Sequence, residues 1–403
     1  MLQERSFARY LAASTVSTLG SGMAMVALAF AVLEFGGATD LGIVLVAREI
    51  PLVLLLLLGG VFADRVPRRT ILVGTDLLKG AAQVATAILL FSGSANVWNV
   101  AFLQAVFGMS AAFSRPATTG MVRQAVSDAR LQEANALLGL SSSVLSIAGP
   151  AIGALIVATG SPAWAIAVDS VTFFVSAALI SSMHLTATVR IASASILGDL
   201  RDGWREFVER RWAVAMVVSF GLFQLTYFPA LLVLGPLVAK EELGGAGAWG
   251  TILAIESFGA VAGGMFALRL RFSRPLVASQ LLVLPSGLLL ASLAVPLPLI
   301  GLAVVSFAVG IGFALGNTLW MTALQRNVPE HALSRISSFD WLGSVALNPI
   351  GYALIGPIAA AIGTAETLVV AGVLNIAVCI SVVLVPSVRH VRMKAPVAVG
   401  VAE

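Results

Sequence analysis

Long apolar runs that end abruptly at clusters of charge are the feature that most constrains this chain. The clearest run extends from residue 41 to residue 62 and contains only two charged residues, Arg48 and Glu49. The cluster that ends it consists of Asp64, Arg65, Arg68 and Arg69. A helix of about 20 apolar residues crosses a hydrocarbon core ~30 Å thick, and such a cluster cannot follow it there. The chain therefore leaves the membrane at this cluster.

The rest of the chain repeats this pattern. Of its 403 residues, 59% are hydrophobic and 11% are charged, against roughly 25% charged in a soluble domain, and the mean hydropathy is +0.98. We predict an all-α integral membrane protein with twelve transmembrane helices. The predicted spans are residues 10–33, 41–62, 70–92, 97–122, 132–158, 163–183, 212–238, 247–268, 275–295, 298–324, 334–361 and 367–386.

The distribution of basic residues predicts the orientation. If the N-terminus lies on the inner side, the predicted inner segments hold nearly all of the arginines that do not belong to a span. The only Lys or Arg residue in the predicted outer loops is Lys240. Cytoplasmic loops are enriched in Lys and Arg, so both termini are predicted to be cytoplasmic, and the protein to be a multi-pass protein of the cytoplasmic (inner) membrane. The excess of four positive charges is explained by this topology, and we expect no nucleic-acid partner.

The chain also divides into two similar halves. We predict a six-helix bundle over residues 1–183, a cytoplasmic linker with an amphipathic helix over 184–211, a second six-helix bundle over 212–388 and a cytoplasmic tail over 389–403. The segment Val122-Arg123-Gln124-Ala125-Val126 of the first half resembles Leu324-Gln325-Arg326-Asn327-Val328 of the second. Two duplicated halves around a central pathway are typical of secondary transporters, whose substrates bind near the middle of the bilayer.

These residues resemble the major facilitator superfamily. The loop between spans 2 and 3 in that family reads Gly-x-x-x-Asp-Arg-x-Gly-Arg-Arg, and Gly60, Asp64, Arg65, Arg68 and Arg69 stand at the matching places. Pro67 replaces the second glycine of the motif. Two further segments, Ser114-Arg115-Pro116-Ala117 and Asp169-Ser170-Val171-Thr172-Phe173-Phe174, resemble the bacterial branch that includes the enterobactin exporter and the macrolide efflux proteins.

The resemblance implies a fold and several roles. The fold is that of two pseudo-symmetric six-helix bundles, and Asp64 with its arginines forms a cytoplasmic latch against the start of span 11, near Ser334 and Arg335. For the arginines, an equally good interpretation is topology alone. Gly149, Pro150 and Gly153 in span 5 lie close to the superfamily's antiporter motif, which favours export, although close helix packing explains the glycines as well.

Two departures from the family bear on energy coupling. In related exporters span 1 often carries an acidic residue where this chain has Ser21, and span 4 of proton antiporters carries an arginine where this chain has Gln104. Coupling to protons is expected from the resemblance, yet two of its usual participants are absent.

Charged residues within the spans are functional candidates, because an ionisable group in the bilayer is costly unless it is paired or hydrated. The coupling candidates are Glu256, Arg48, Glu49 and Asp340. Glu256 is either a proton site or a member of a buried ion pair, and Asp340 faces either the Asp64 loop or the cavity. Asp76 can pair with Lys79 three residues away or with Arg115, and we favour Arg115.

The family places spans 1, 4, 7 and 10 around the cavity. The cavity candidates are Ser17, Ser21, Gln104, Gln224, Tyr227, Asn317 and Trp320. Hydrogen bonds to their own helices explain the hydroxyl groups singly, and packing is an alternative for Trp320. Because these side chains are uncharged, we expect a bulky, amphipathic substrate that is neutral or weakly charged.

Together these patterns predict a secondary transporter, driven by proton exchange, that exports amphipathic small molecules such as drugs, antibiotics or siderophores, and not an enzyme. The alternatives are an importer of a small neutral solute and a non-transporting sensor derived from a transporter. The chain has no Gly-x-x-x-x-Gly-Lys-[Ser/Thr] loop for ATP, and its three histidines lie near the inner surface. We therefore expect no metal site, no cofactor beyond the proton gradient, and a monomer whose partners are its substrate and the lipid bilayer.

Overall fold

The computed structural model of the chain describes residues 5–127, 130–183, 204–295, 297–328, 336, 339–340 and 342–392. For residues 57, 60, 61, 63–65, 119, 123 and 132 the description covers the backbone alone. We call the end of the bundle that carries Arg5 the inner end, and the opposite end the outer end. The described parts of the predicted cytoplasmic loops lie at the inner end.

Eleven helices in these parts of the chain are long and apolar enough to cross a membrane, and a further helix of 28 residues occupies the predicted second span. The predicted all-α fold is confirmed. The first half comprises α1 (Arg5–Phe35), α2 (Ala38–Arg65), α3 (Arg68–Phe91), α4 (Val97–Ala125), α5 (Leu131–Thr159) and α6 (Pro162–Ser181). The second half comprises α7 (Arg211–Glu242), α8 (Ala246–Arg269), α9 (Pro275–Ala294), α10 (Leu299–Asn327), α11 (Leu342–Ile362) and α12 (Thr364–Val383).

Three of these helices are irregular, and in each a proline is the cause. Helix α7 is α-helical to Pro229, passes through a π turn over Ala230–Leu234 and then resumes. Helix α9 breaks before Pro285, where Leu284 N–H bonds the carbonyl of Leu281 instead of one a full turn back. Helix α11 is interrupted at residues 346–347, just before Pro349. Because proline has no N–H and crowds the preceding turn, it interrupts the regular hydrogen-bond ladder at these places.

The two halves are built alike. Across the interface between them, α2 packs against α11 and α5 against α8, as expected when the two halves are related by a pseudo-two-fold axis. Within each half one pair of helices makes equivalent backbone contacts. A Cβ atom added to Gly108 of α4 would lie 1.9 Å from the carbonyl oxygen of Arg48 in α2, and one added to Gly310 of α10 would lie 1.8 Å from that of Glu256 in α8.

The outer end is closed by a core that both halves share. It contains Phe30 and Leu41 of the first half with Leu234, Trp249 and Tyr352 of the second. At the inner end, the apolar clusters among the described residues each stay within one half. The structure is therefore sealed at its outer end, where apolar burial joins the halves.

The linker attaches to the second half where it is described. Residues 204–209 are helical, and the ring of Phe207 stacks on Phe339 at 5.9 Å between centroids. Residues 184–203, which carry the rest of the predicted amphipathic helix, lie outside the described residues. The proposed domain boundaries stay a prediction.

Candidate functional site

A cavity of about 600 Å³ lies in the second half, enclosed by α7, α8, α9, α10 and α11. Its aromatic wall consists of Phe220, Phe223, Phe228, Phe313 and Trp320. Phe313 meets Phe223 edge-on at 5.7 Å between ring centroids. Rings held in this way offer large, rigid apolar surfaces of the kind that bind drug-sized ligands.

Polar groups occupy only a few points of this second-half cavity. Trp320 Nε1 donates a hydrogen bond to Asp340 Oδ2 at 3.1 Å, and both side chains line the cavity. Gln224 and Asn317 line it as well, and Gln224 Oε1 has no hydrogen-bond partner among the residues that the structure describes. The sequence left two positions open for Asp340, the Asp64 loop and the cavity, and in the structure Asp340 lines the cavity.

The first half holds a second cavity, of about 430 Å³, between α1, α2, α3, α4 and α6. Hydroxyl groups from α1 form one wall, and charged side chains from α2, α3 and α4 form the other. The hydroxyl residues are Ser14, Ser17, Thr18 and Ser21, and the charged residues are Arg48, Asp76, Lys79 and Arg115.

Asp76 in this cavity is well satisfied. Lys79 Nζ lies 3.9 Å from Asp76 Oδ1, and Ser176 Oγ donates a hydrogen bond of 2.7 Å to Asp76 Oδ2. Lys79 also donates to Ser114 Oγ at 2.9 Å. The structure contains the Asp76–Lys79 pair, which is the alternative to the Asp76–Arg115 pair that we favoured, because one helical turn brings Lys79 back over Asp76.

Arg48 reaches the same cavity from α2. Its guanidinium carbon lies 4.4 Å from the ring centroid of Phe107, in a cation–π contact. Its nearest acidic neighbours by electrostatic interaction are Glu49 and Asp169. Asp169 is fully buried and accepts a hydrogen bond from Gln83 at 2.6 Å, which agrees with a structural role for that carboxylate.

The two cavities occupy equivalent places in the two halves. Lining residues follow the same helical spacing on α1 and α7, and again on α4 and α10. On α1 the lining residues are Tyr10, Ser14, Ser17 and Thr18, and their counterparts on α7 are Met216, Phe220, Phe223 and Gln224. On α4 they are Ser114, Arg115 and Thr118, and their counterparts on α10 are Gly316, Asn317 and Trp320. The duplicated fold thus carries a charged, hydroxyl-lined cavity on one side and an aromatic cavity on the other.

Five of the seven predicted cavity residues line these cavities, and two do not. Ser17 and Ser21 line the first-half cavity, and Gln224, Asn317 and Trp320 line the second-half cavity. Gln104 and Tyr227 line neither, because both are buried by packing. Tyr227 packs its ring against Phe223 and Phe313, at 5.2 and 5.5 Å between centroids.

The expectation of an uncharged wall was wrong for the first half. It rested on the uncharged candidates of spans 1, 4, 7 and 10, whereas α2 and α3 contribute Arg48, Asp76 and Lys79 to the first-half cavity and α4 itself contributes Arg115. Sequence reasoning had treated these charges separately from the cavity. The sequence did contain a signal that could have placed these charged residues together, because they lie at similar depths along neighbouring helices.

The predicted gating motif is described only in part. Helix α2 ends at Arg65, and the structure describes Gly60, Asp64 and Arg65 by their backbone alone. Ser334 and Arg335 lie outside the described residues. Arg68 donates to the carbonyl of Gly120 at 2.7 Å, and Arg69 donates to the carbonyl of Ser181. These two arginines therefore bind α3 to α4 and to α6 within the first half.

The antiporter-type motif lies at a helix seam. A Cβ on Gly149 would approach the Cα of Gly22 to 2.9 Å, and a Cβ on Gly153 would approach that of Met23 to 2.6 Å, so α5 and α1 touch through their backbones. The adjoining side of α5 meets the second half, where Ser257 Oγ donates to the carbonyl of Ser146 at 2.9 Å. Pro150 lies between the two glycines. The motif thus packs α5 between the halves.

Glu256 is half-buried at the contact between α8 and α10, and its Oε2 atom is shielded from solvent. Gly310 packs on its backbone, and its Oε2 atom has no hydrogen-bond partner among the described residues. Tyr227, whose hydroxyl likewise lacks a partner among them, is an electrostatic neighbour. Glu256 and Arg48 occupy equivalent places in the two halves, so the second half carries a carboxylate where the first half carries a cation.

Lys240 connects the two halves at the outer end. Its ammonium group donates to the carbonyl of Leu33 in the last turn of α1, where the helix dipole is negative. We predict that Lys240→Met weakens the outer seal by about 1 kcal/mol, which raises the outward-open population roughly fivefold. Spin labels at Ser94 and Glu242, in a Cys379→Ala background, measure this as a longer distance between the halves.

The matched control for this prediction is Lys240→Arg, which keeps the positive charge and a donor. We expect its distance distribution to match that of the unmodified outer end. An unchanged distribution in Lys240→Met would show that the apolar core alone closes the outer end.

Comparison with known proteins agrees with this geometry. A family model described as a transmembrane secretion effector matches residues 1–304. The multidrug efflux pump Tap of Mycolicibacterium fortuitum is 26% identical over 405 residues, which cover 95% of this chain and 96% of that protein. The enterobactin exporter EntS of Escherichia coli K12 is 26% identical over 350 residues, which cover 85% and 82% of the two chains.

Solved structures share the fold at low sequence identity. The nucleoside transporter NupG superposes with a TM-score of 0.78 at 10% identity, over 94% of this chain and 98% of that one. A bacterial homologue of the human lysosomal transporter Spinster, in an inward-facing and unoccupied conformation, superposes with a TM-score of 0.74 at 12% identity, over 97% and 99%.

Proposed function

Because the chain belongs to the transmembrane secretion effector family of the major facilitator superfamily, we propose that it exports amphipathic small molecules in exchange for protons. Members of this family and the relatives named above are transporters, not enzymes. The chain is a multi-pass membrane protein, and its relatives carry the names of a multidrug efflux pump and an enterobactin exporter. Drugs, antibiotics and siderophore-like molecules are the substrates that this similarity supports.

The aromatic cavity of the second half is the observation that carries the proposal. It holds about 600 Å³ between Phe220, Phe313 and Trp320, and its polar points include the amides of Gln224, Gln280 and Asn317 and the carboxylate of Asp340. An apolar pocket with a few polar groups favours molecules that combine ring systems with scattered hydrogen-bonding groups. A sugar or an inorganic ion would need a denser set of polar partners.

Alternating access is the proposed cycle. The halves share an apolar core and the Lys240–Leu33 hydrogen bond at the outer end. The inner clusters of the described residues stay within single halves, so the halves can rock about the seams α2–α11 and α5–α8. In the opposite state the outer seal opens, and the Asp64 motif is proposed to latch the inner end.

Proton exchange is proposed to involve the charged groups of the spans, with Glu256 as the principal candidate and Arg48, Glu49 and Asp340 as others. Ionised carboxylates are costly in a bilayer unless they are paired, so such groups either find a cation or take up a proton. Glu256 has no hydrogen-bond partner for Oε2 among the described residues. We propose no cofactor beyond the proton gradient, a monomer in the lipid bilayer, and cytoplasmic termini.

The proposal is tested by accumulation of fluorescent dyes and antibiotics in cells that express the protein. We expect expression to lower accumulation at least about twofold for amphipathic aromatic compounds, and a protonophore to abolish the difference, because export then lacks its driving force. Raised accumulation would support the importer of a small solute instead. No change for any compound, with correctly folded protein in the membrane, would support the sensor.

A further inference from the structure

The equivalent cavities of the two halves differ in chemistry, and this difference bears on the class of substrate. Where the second half has Phe220 and Phe223, the first half has Ser14 and Ser17. Where the second half has Asn317, the first half has Arg115. One repeat is thus suited to an apolar group, and the other to a charged or strongly hydrogen-bonding group.

Cations outnumber carboxylates on the wall of the first-half cavity. Arg48, Lys79 and Arg115 line it, whereas Asp76 is the single carboxylate in that lining. Asp76 is already occupied by Lys79 at 3.9 Å and by the Ser176 hydroxyl at 2.7 Å. Glu49, which interacts electrostatically with both Arg48 and Arg115, and Asp169, which interacts with Arg48, are not part of the wall.

Arg48 is the cation best placed to receive a ligand. Its guanidinium lies over the Phe107 ring at 4.4 Å, and it makes no ion pair within 4.0 Å with any carboxylate whose side chain the structure describes. A planar guanidinium presents several N–H donors in a fixed fork that matches a carboxylate, sulfonate or phosphate. Its stacking on Phe107 holds the fork in one place.

The α1 wall opposite these cations adds neutral donors. Ser17 Oγ makes a long contact of 3.4 Å to the carbonyl of Ser14, and Ser21 and Thr18 also face the cavity. Hydroxyl groups can donate to an anion without adding charge. Cations on one wall and hydroxyls on the other provide the coordination that a desolvated oxyanion needs.

We propose that the first-half cavity binds the anionic group of the transported molecule, and that the substrates are therefore amphipathic anions whose apolar part lies against the aromatic cavity of the second half. This inference rests on the proposed function and names the substrate class of the same pathway. It replaces the neutral or weakly charged substrate that the uncharged candidates of spans 1, 4, 7 and 10 had suggested.

The test compares two probes of nearly equal shape. 8-Anilino-1-naphthalenesulfonate is an anion, and N-phenyl-1-naphthylamine lacks the sulfonate. Binding is measured by fluorescence with the full chain in phosphatidylcholine nanodiscs, with empty nanodiscs subtracted. We expect the wild type to bind the anionic probe more tightly than the neutral one. We expect Arg48→Gln to weaken binding of the anionic probe about tenfold or more, because a hydrogen-bonded charge is lost. Affinity for the neutral probe stays within about twofold.

The matched control is Arg271→Gln, which removes one exposed charge at the inner end of the second half and leaves both affinities unchanged. Equal affinity of the wild type for the two probes, or anion binding that Arg48→Gln does not change, would overturn the inference. Competition by phosphatidylglycerol in the nanodisc would assign the cavity to a lipid headgroup and would also overturn it.

A second variant avoids the risk that Arg48→Gln fails to fold. Ser17→Cys, in a Cys379→Ala background, places a thiol in the first-half cavity without altering its charges. We expect the anionic probe to slow alkylation of this thiol by N-ethylmaleimide, and the neutral probe to leave it unaffected; protection by neither probe would contradict the inference. Export of cationic or neutral dyes from cells, without binding of the anion, would leave the transporter proposal standing and refute this inference alone.

Discussion

A Gly310→Ala variant is expected to lose most of its folded protein. The added methyl carbon would lie 1.8 Å from the carbonyl oxygen of Glu256 and 2.6 Å from the backbone nitrogen of Ala260. Both are backbone atoms of α8, so no side-chain rotation relieves the clash and the two helices must separate. Overpacking of this kind costs about 3 kcal/mol, enough to change abundance several-fold.

The measurement is the monodisperse peak in fluorescence-detected gel filtration of detergent extracts. Gly264→Ala is the matched control, because a Cβ there meets no atom within 4 Å, and alanine is the better helix former. We expect the control to retain the wild-type peak. A Gly310→Ala peak of wild-type height would show that α8 and α10 do not touch as described.

A Glu256→Gln variant is expected to lose proton-driven efflux while it keeps its substrate affinity. Glutamine has nearly the same shape as glutamate but cannot bind and release a proton. Glu256 does not line the second-half cavity, although Ala260 one turn away does, so binding should change less than about twofold. Efflux driven by a pH gradient should fall about tenfold or more, because an uncoupled transporter gains nothing from the gradient.

The measurement for Glu256 uses proteoliposomes with an imposed pH gradient, and substrate binding is measured on the same preparation. Glu366→Gln is the control, since Glu366 is an exposed carboxylate in the first turn of α12. Gradient-driven efflux in Glu256→Gln at the wild-type rate would exclude Glu256 as the proton carrier. The coupling role would then pass to Glu49 or Asp340.

The glycines show how far local sequence could be interpreted. Gly149 and Gly153 were recognisable as a small-residue motif of span 5, and the structure places both against α1. Gly108 and Gly310 were not recognised in this way, although Gly312 follows Gly310 two residues later. Their importance comes from the partner helix, whose backbone they touch, and spacing within one helix does not reveal that partner.

The cavity residues show the same limit. Hydroxyl and amide side chains at helical spacing on spans 1, 7 and 10 were sufficient to predict Ser17, Gln224 and Asn317. Gln104 and Tyr227 satisfied the same criterion and are buried by packing. A side chain on a buried face and one on a cavity face have the same periodicity, so only the neighbouring helices distinguish them.

The sequence by itself determined the membrane location, the helical spans, the two similar halves and the family. These depend on the cost of exposing polar backbone and charge to hydrocarbon, which acts on each segment independently of the others. Only the tertiary structure decided that Arg48, Lys79 and Arg115 share one cavity, that Asp76 pairs with Lys79, and that the equivalent cavity is aromatic. Those outcomes depend on the distances between side chains of different helices. The packing of the bundle sets these distances, whereas the charge of a single span does not determine them.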